Sequence, residues 1–352
     1  MVTEDESRRG GGPDDTRDRE AEPKPDPAPG ARTTGTNPTR IGPLDSIPPP
    51  ADEPLPRVLE GRWRLEREIA AGGMGRVFEA QDLTLGTRVA VKLLHAERLH
   101  APEAVHRFLR EARLAGVANH GGIARVLDFD LTADGKPYLV MELLAGATLE
   151  ARLAAPDRLG LVEGVDVLLD VLDTLEAIHR CGVVHRDIKP GNIFVLAEPG
   201  ALRTKLLDFG LARGADPLAA DPNLTRTGQV LGTPHYMSPE QARGHTRVGP
   251  GADLWAVGVI LYELATGRRP FPGQNYNETL ANILTREPPP ARQLAPDLPP
   301  ALEALLERCL DPDPDRRLRS AGELRRALAD LRPVLAAAPP PRKGHRRRWL
   351  LA

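Results

Sequence analysis

His-Arg-Asp-Ile-Lys-Pro-Gly-Asn occupies residues 185–192 of this chain, and Asp-Phe-Gly follows at residues 208–210. The first motif carries a base, a cation and an amide, and the second adds a carboxylate sixteen residues further on. Phosphoryl transfer from a nucleotide needs these groups, because its transition state spreads negative charge that must be positioned and counter-charged. A His-Arg-Asp triplet alone occurs by chance, whereas both motifs at this distance are a specific signal.

Each polar group of the two motifs has a predicted task. Asp187 can accept the proton of a substrate hydroxyl, and Lys189 can neutralise the moving phosphoryl group. Asn192 and Asp208 offer hard oxygen atoms, which are the ligands that Mg²⁺ prefers. The sequence therefore predicts a magnesium-dependent phosphotransferase site at this part of the chain.

A lysine and a glutamate upstream extend the pattern. Val89–Lys92 is a strand-like run whose final residue could pair with nucleotide phosphates. Apolar residues recur at helical spacing across residues 105–115 and place Glu111 on a helix. Glu111 could there hold Lys92 in an ion pair.

A glycine-rich stretch stands further upstream. Trp63, Leu65 and Ile69 alternate with polar residues and are predicted to point to the same side of a strand. Ala71–Val77, with the sequence AGGMGRV, follows directly. Its glycines would let backbone N–H groups approach phosphate oxygens closely. Taken alone, such a turn is more often only a turn.

These pieces, in this order, resemble the eukaryotic-like (Hanks-type) serine/threonine protein kinases of bacteria, from about Trp63 to about Leu331. The resemblance implies an α+β, bilobal protein-kinase fold. A small β-rich lobe with one helix would stand over a larger helical lobe, with ATP and Mg²⁺ between them. Lys92, Glu111, Asp187 and Lys189 would be the catalytic residues, and Asn192 and Asp208 the metal ligands.

The resemblance also implies the nucleotide contacts. Ala70 stands where the first glycine of the family's phosphate loop belongs, and the rest of the loop matches. Met141 would be the gatekeeper, while the Glu142 carbonyl and the Leu144 N–H would bond the adenine edge. The ring would lie between Val77, Ala90 and Phe194. The residues predicted to line the phosphates are Ala70, Ala71, Gly72, Gly73, Met74, Gly75, Arg76 and Val77.

The downstream motifs indicate a polypeptide substrate. Gly232–Glu240 resembles the family's substrate-docking segment, and Thr233 within it points, with Lys189, to Ser/Thr rather than Tyr acceptors. An arginine late in the large lobe would hold the Glu240 carboxylate, and Arg317 fits the spacing better than its neighbour Arg316.

Three functions follow from the motifs. The first is an active serine/threonine protein kinase that uses Mg-ATP and acts on protein substrates. The second is a silent pseudokinase that binds nucleotide or partners as a scaffold, and the third is a small-molecule phosphotransferase. The active enzyme is favoured by the presence of Lys92, Glu111, Asp187, Asn192 and Asp208. The long segment between residues 211 and 240 favours a protein substrate.

Composition indicates the class of partner and the cellular compartment of the protein. A formal net charge of −2 gives no electrostatic case for nucleic-acid binding. The two cysteines, Cys181 and Cys309, lack the spacing of a metal site and indicate a reduced, cytoplasmic compartment. No signal peptide is recognised in the first sixty residues. Whether the protein is a monomer or a homodimer stays open.

The chain divides into three predicted regions. Residues 1–57 are Pro-rich and acidic, contain no aromatic residue and are predicted to be disordered. The kinase domain would span residues 58–332, with its small lobe at 58–144 and its large lobe at 145–332. Within it, residues 165–175 and 252–265 predict helices, the second of them buried, and Ser320–Glu323 fits a capping box.

Residues 333–352 form a Pro-rich and basic tail. Five cations at residues 342–348 precede Trp349 and a few apolar residues, like the cytoplasmic flank of a membrane helix. Two explanations stay open, a kinase cut before its membrane anchor and a free basic end.

For regulation, Thr225 and Thr227 lie where related kinases carry phosphorylated threonines, and Arg186 suits a phosphate partner.

Overall fold

The computed structural model describes residues 58–72, 75–94, 120–157, 159–197, 200, 202–208 and 234–337. Several predictions lie outside these residues: the N-terminal region, the basic tail, the helix that would carry Glu111, and the two threonines at positions 225 and 227. Gly73 and Met74 lie outside them as well. Among the helices of the described part, none is both long and apolar enough to cross a membrane.

The small lobe is one antiparallel sheet of six strands in the order β1-β2-β3-β4-β6-β5. Its buried face is aromatic and β-branched, which suits a pleated, half-buried surface. Trp63, Phe78, Val91, Tyr138 and Val140 form this core. The strands are β1 Val58–Leu59, β2 Trp63–Ala71, β3 Gly75–Asp82, β4 Arg88–Leu94, β5 Val126–Leu131 and β6 Pro137–Glu142.

Strand β2 corrects one prediction. The sequence alternation predicted that Trp63, Leu65 and Ile69 point to the same side, but the pairing with β3 shifts register between residues 65 and 67 and again between 68 and 70. Each shift inserts a residue and breaks the two-residue period. Trp63 is buried, whereas Ile69 is 39% exposed at the end of the strand that precedes the glycine-rich turn.

A second sheet of three short antiparallel strands belongs to the large lobe and carries the catalytic region. It comprises β7 Gly146–Thr148, β8 Ile193–Leu196 and β9 Thr204–Leu206, in that order. Strand β8 follows the 185–192 motif directly, and β9 ends two residues before Asp208. The sheet therefore holds both motifs at fixed separation.

The rest of the large lobe is helical. Helix α4 is buried at every position from residue 252 to residue 262, which confirms the predicted buried helix. The predicted helix over residues 165–175 is part of α2, which Gly182, with φ +72°, follows closely. The helices are α1 Leu149–Ala154, α2 Leu161–Arg180, α3 Pro239–Ala242, α4 Gly251–Thr266, α5 Tyr276–Thr285, α6 Ala291–Leu294, α7 Pro300–Cys309 and α8 Ala321–Ala337.

Helix α8 begins with half of the predicted capping box. The Ser320 hydroxyl accepts a hydrogen bond from the Glu323 N–H at 3.1 Å. The Glu323 carboxylate, however, accepts from the N–H of Arg319 at 2.8 Å rather than from that of Ser320. The helix ends at Ala337, beyond the predicted domain boundary at residue 332.

Candidate active site

The glycine-rich turn is the end of the β2–β3 hairpin. Gly72 and Gly75 exchange backbone hydrogen bonds at 2.9 and 3.2 Å. A Cβ on Gly75 would stand 2.0 Å from the Leu93 carbonyl oxygen, so only glycine fits there. Ala70 pairs with Val77 inside the sheet and has no positive φ. A side chain is therefore accommodated at the position where the phosphate loop of the bacterial serine/threonine kinases has its first glycine.

Lys92 joins the two lobes. It lies on β4 as predicted, is 4% exposed, and its Nζ is 2.6 Å from Oδ1 of Asp208. Desolvation would raise the pKa of the Asp208 carboxyl, but the Lys92 ammonium outweighs it and lowers that pKa below its ordinary value. Asp208 is therefore ionised at neutral pH. Its backbone is left-handed, with φ +41°, which is uncommon for a residue with a side chain.

Asp187 is fixed by its own motif. Its Oδ2 accepts a hydrogen bond from Lys189 Nζ at 2.7 Å and another from the Asn192 amide at 2.9 Å. The same amide nitrogen donates to the Asp187 carbonyl at 2.8 Å. The structure thus brings the predicted cation, Lys189, and one predicted metal ligand, Asn192, within hydrogen-bond distance of the predicted base.

Asp253, at the start of α4, holds the backbone of this motif. Its fully buried carboxylate accepts from the N–H of His185 at 2.9 Å, from the N–H of Arg186 at 2.8 Å and from His179 Nε2 at 2.8 Å. Arg186 has φ +67°, a strained conformation for a side-chain-bearing residue. The hydrogen bonds from the N–H groups of His185 and Arg186 to Asp253 stabilise the backbone bend that orients Asp187.

His185 has a structural role. Its side chain is fully buried, Nδ1 accepts from the Asp187 N–H at 3.3 Å, and Nε2 lies 3.2 Å from the Leu207 carbonyl. An accepting Nδ1 leaves the proton on Nε2, which donates to that carbonyl. Burial lowers the pKa of His185, more than the nearby carboxylates raise it, so the ring is neutral.

The substrate-docking segment is attached to the catalytic motif. Ser238 caps helix α3 in a reciprocal capping box with Gln241. The Gln241 amide then donates to the Arg186 carbonyl at 2.8 Å. Arg186 is therefore held from both sides, its N–H by Asp253 and its carbonyl by Gln241. Thr233 of the same segment lies outside the described residues.

Arg317 forms the predicted contact with Glu240. Its two terminal nitrogens each lie 2.9 Å from one of the two carboxylate oxygens, in a bidentate pair buried on both sides. Arg316 instead lies near Asp313 at the surface. Desolvation would raise the pKa of Glu240, but hydrogen bonding and attraction by Arg317 lower it. The docking segment is thereby fixed to the far end of the large lobe.

Among the predicted nucleotide residues that the structure describes, Val77, Ala90, Lys92 and Met141 share one face of the small-lobe sheet. Direct cross-strand pairing of Val77 with Lys92 and of Ala90 with Met141 places these side chains on the sheet face that meets Asp208. Glu142 ends β6, and Leu144 follows in the connection to the large lobe. Phe194 lies on β8, opposite Thr148 and Lys205.

Several residues of the site were not predicted from the sequence. Asp253 lies inside the predicted buried helix over residues 252–265, and a carboxylate in an otherwise apolar run was the signal that it binds a partner. His179, Gln241 and Lys205 contribute long-range side-chain bonds that no local pattern reveals. Within the described residues, no cluster of three or more His, Cys, Asp or Glu side chains forms a further metal site.

Comparison with known proteins agrees with this geometry. The family model described as "Protein kinase domain" matches residues 63–327. The chain is 44% identical to serine/threonine-protein kinase PknA of Mycobacterium tuberculosis over 298 residues, covering 81% of this chain and 67% of PknA. It is 42% identical to serine/threonine-protein kinase Pkn1 of Myxococcus xanthus over 298 residues, covering 84% of this chain and 41% of Pkn1.

A solved structure supports the fold alone. The PknI kinase domain of Mycobacterium tuberculosis, a double mutant, superposes with a TM-score of 0.61 at 24% identity, covering 78% of this chain and 97% of that one. The predicted α+β, bilobal kinase fold is confirmed. The relatives are named serine/threonine-protein kinases, and nothing among them favours the pseudokinase alternative. This chain belongs to the protein kinase family, and it is a Hanks-type serine/threonine protein kinase of the bacterial kind.

Proposed function

We propose that the cleft between the lobes binds Mg-ATP and that Asp187 directs its γ-phosphoryl group to Ser or Thr hydroxyls of proteins. One observation carries the proposal: the Lys92–Asp208 contact of 2.6 Å joins the lobes beside the Asp187, Lys189 and Asn192 cluster. A base, two cations and two oxygen ligands thus converge from both lobes. This is the set of groups that phosphoryl transfer requires.

Asp187 would orient the acceptor hydroxyl and take its proton. Hydrogen bonds from Lys189 and Asn192 fix its carboxylate in one orientation, which matters because positioning supplies much of the rate. The Lys189 ammonium, already beside the base, would neutralise charge on the transferred phosphoryl group. Lys92 would contact the nucleotide phosphates, and Glu111 would hold it in the active arrangement.

Asn192 and Asp208 would hold Mg²⁺. Asp208 is ionised because Lys92 lowers its pKa. The Asn192 amide nitrogen is committed to Asp187, so its oxygen is the atom that faces a cation; no described residue donates a hydrogen bond to that oxygen. Both are hard oxygen donors and fit Mg²⁺. The bound ion would supply counter-charge to the phosphates.

The adenine ring and the phosphates of the nucleotide would lie at opposite ends of the cleft. The Glu142 carbonyl and the Leu144 N–H would bond the adenine edge next to Met141, with Val77 and Ala90 above the ring and Phe194 below. The hairpin from Ala70 to Val77 would cover the phosphates with backbone N–H groups.

Calorimetric titration with ADP tests the binding site. The wild type is expected to bind ADP more tightly with Mg²⁺ than with EDTA, and Asp208→Asn should lose that difference. Asp134→Asn, which removes a carboxylate paired with Lys136 in the β5–β6 turn, serves as the matched control. Equal Mg²⁺ dependence in the Asp208→Asn protein would contradict the metal assignment.

Activation would follow autophosphorylation of Thr225 and Thr227. Arg186 supports this proposal, because its buried Nε has no hydrogen-bond partner among the described residues. A phosphate from the activation segment would satisfy the guanidinium. Mass spectrometry of active protein should find phosphate on these threonines, and unmodified residues at both positions in fully active protein would contradict the proposal.

Finer proposals concern location and partners. The domain would work in the cytoplasm, and the basic residues 342–348 would contact anionic membrane lipid, each cation contributing about 1 kcal/mol. Deleting residues 342–352 should abolish sedimentation with anionic liposomes at low salt and leave kinase activity intact; unchanged sedimentation would contradict the membrane contact.

A homodimer is the proposed assembly, and sedimentation velocity that shows only monomer at micromolar concentration would exclude it.

A further inference from the structure

Lys205 makes a second connection between the lobes, away from the Lys92–Asp208 contact. It lies on β9 of the large-lobe sheet, and its Nζ is 2.6 Å from Oε1 of Glu142, the last residue of the small-lobe sheet. The two side chains are only 16% and 24% exposed. A pair shielded to this extent is screened less than a surface ion pair, so it can fix a geometry.

Glu142 is held on a second side by Arg125. The Arg125 N–H donates to the same Oε1 at 2.7 Å, and the Glu142 N–H donates to the Arg125 carbonyl at 3.0 Å. The Lys205 ammonium also reaches the Ile123 carbonyl at 3.4 Å. Side chain and backbone of Glu142 are thus fastened to two other segments, and little freedom remains for its peptide plane.

We propose that Lys205 is a positioning residue for nucleotide binding: through the Glu142 carboxylate it fixes the hinge backbone that bonds the adenine edge. The inference rests on the proposed binding of adenine by the Glu142 carbonyl and the Leu144 N–H. Without the Lys205 bond, the hinge samples more orientations, and binding must then order it at a cost in affinity. The reaction step itself does not involve this pair.

Lys205 could act at either end of the nucleotide, because it lies three residues before Asp208 on the same segment. Action at the hinge weakens every ligand that contains adenine. Action through Asp208 weakens only ligands that carry phosphates and Mg²⁺. Adenosine, which has the base and no phosphate, therefore separates the two ends.

The experiment compares Lys205→Met, Lys205→Arg and a matched control in the full chain. Lys136→Met is the control, since it removes a lysine paired at 2.9 Å with Asp134 in the β5–β6 turn, outside the proposed binding residues. The readouts are KM for ATP, kcat, and the inhibition constant of adenosine against ATP. A Glu142→Gln variant and the double variant with Lys205→Met complete a mutant cycle.

For Lys205→Met we expect KM for ATP and the adenosine inhibition constant to rise together by about fivefold, less than for the loss of a direct charge-assisted hydrogen bond, because Lys205 acts on the nucleotide only through Glu142. kcat should change by less than about twofold, because chemistry is untouched. Lys205→Arg should restore most of the affinity, and Lys136→Met should match the wild type. In the cycle, the double variant should be no weaker than the worse single variant.

Other results overturn the inference. If KM for ATP rises while adenosine binds as in the wild type, Lys205 acts at the phosphate end. If kcat falls with both binding constants unchanged, its role is in catalysis. Unchanged constants in Lys205→Met remove any role. If wild-type protein binds neither ATP nor adenosine, the proposed function fails. If the wild type binds both ligands and Lys205→Met binds them equally well, only the inference about Lys205 fails.

Discussion

The backbone N–H of Arg186 donates a 2.8 Å hydrogen bond to Oδ1 of Asp253, a residue sixty-seven positions further along the chain. Arg186 needs such a partner because its φ of +67° is costly for an L-residue. Oδ2 of the same carboxylate binds the His185 N–H, so two successive peptide groups are fixed by one buried side chain. The geometry of Asp187 therefore depends on the start of a buried helix.

Asp253→Asn should show this dependence. The substituted amide keeps the shape but turns an NH₂ group toward an N–H that needs an acceptor, which leaves buried donors unsatisfied. We expect kcat to fall at least about tenfold and the free energy of unfolding to fall by about 2–4 kcal/mol. Steady-state kinetics and urea unfolding measure the two effects. The exposed Asp315→Asn serves as control, and wild-type kcat in Asp253→Asn would contradict this role.

Arg317→Met should destabilise the large lobe. It leaves the Glu240 carboxylate buried without its bidentate partner, which costs about 3–5 kcal/mol in other buried pairs. The double variant Glu240→Gln with Arg317→Met should recover part of the loss, because the isolated charge is gone. Denaturant unfolding of the four proteins gives the coupling. A double variant as unstable as the sum of the two single variants would show that the pair does not act as a unit.

His235 should make stability depend on pH. Burial, helped by repulsion from Arg269, lowers the pKa of His235 to about 4 from an ordinary value near 6.5. The unfolded chain therefore takes up a proton before the folded one, and stability falls as pH decreases from 6.5 towards 4. His235→Gln should flatten the slope of Tm in this window relative to the wild type, although His185 keeps a slope of its own. Identical pH slopes of Tm in the two proteins would contradict the assignment.

The glycine-rich hairpin allows a paired test. Ala70→Gly should leave KM for ATP within about twofold of the wild type, because Ala70 already adopts a paired strand conformation that any residue tolerates. Gly75→Ala should raise KM strongly or unfold the small lobe, since its Cβ would meet the Leu93 carbonyl oxygen at 2.0 Å. ATP-dependent kinetics and circular dichroism separate the two outcomes. A large gain in affinity for Ala70→Gly would show that the alanine does limit binding.

Local sequence patterns predicted the elements that carry the chemistry. The strand with Lys92 and the buried helix over residues 252–265 were expected from local patterns, and the structure shows both. The pairing of Arg317 with Glu240, seventy-seven positions apart, was expected from the family resemblance, and the structure shows it as well. Motifs succeed here because backbone and side-chain roles are encoded within a few residues of each other.

Other features could not be read from local patterns. Ile69 was placed wrongly because two β-bulges in β2 change the phase of alternation, and neither leaves a glycine or proline at the shift. The bonds from Asp253 to Arg186 and from Lys205 to Glu142 join residues more than sixty positions apart. Only the folded chain brings such partners together.

The most direct test of the account is transfer of labelled phosphate by the purified protein, with mapping of the modified residues. Wild-type protein should place label on Ser and Thr, and Asp187→Asn should transfer at least about a hundredfold less while binding Mg-ADP as the wild type does. That pairing of lost transfer with retained binding identifies Asp187 as the base. Wild-type labelling by Asp187→Asn protein, free of any contaminating kinase, would contradict the mechanism.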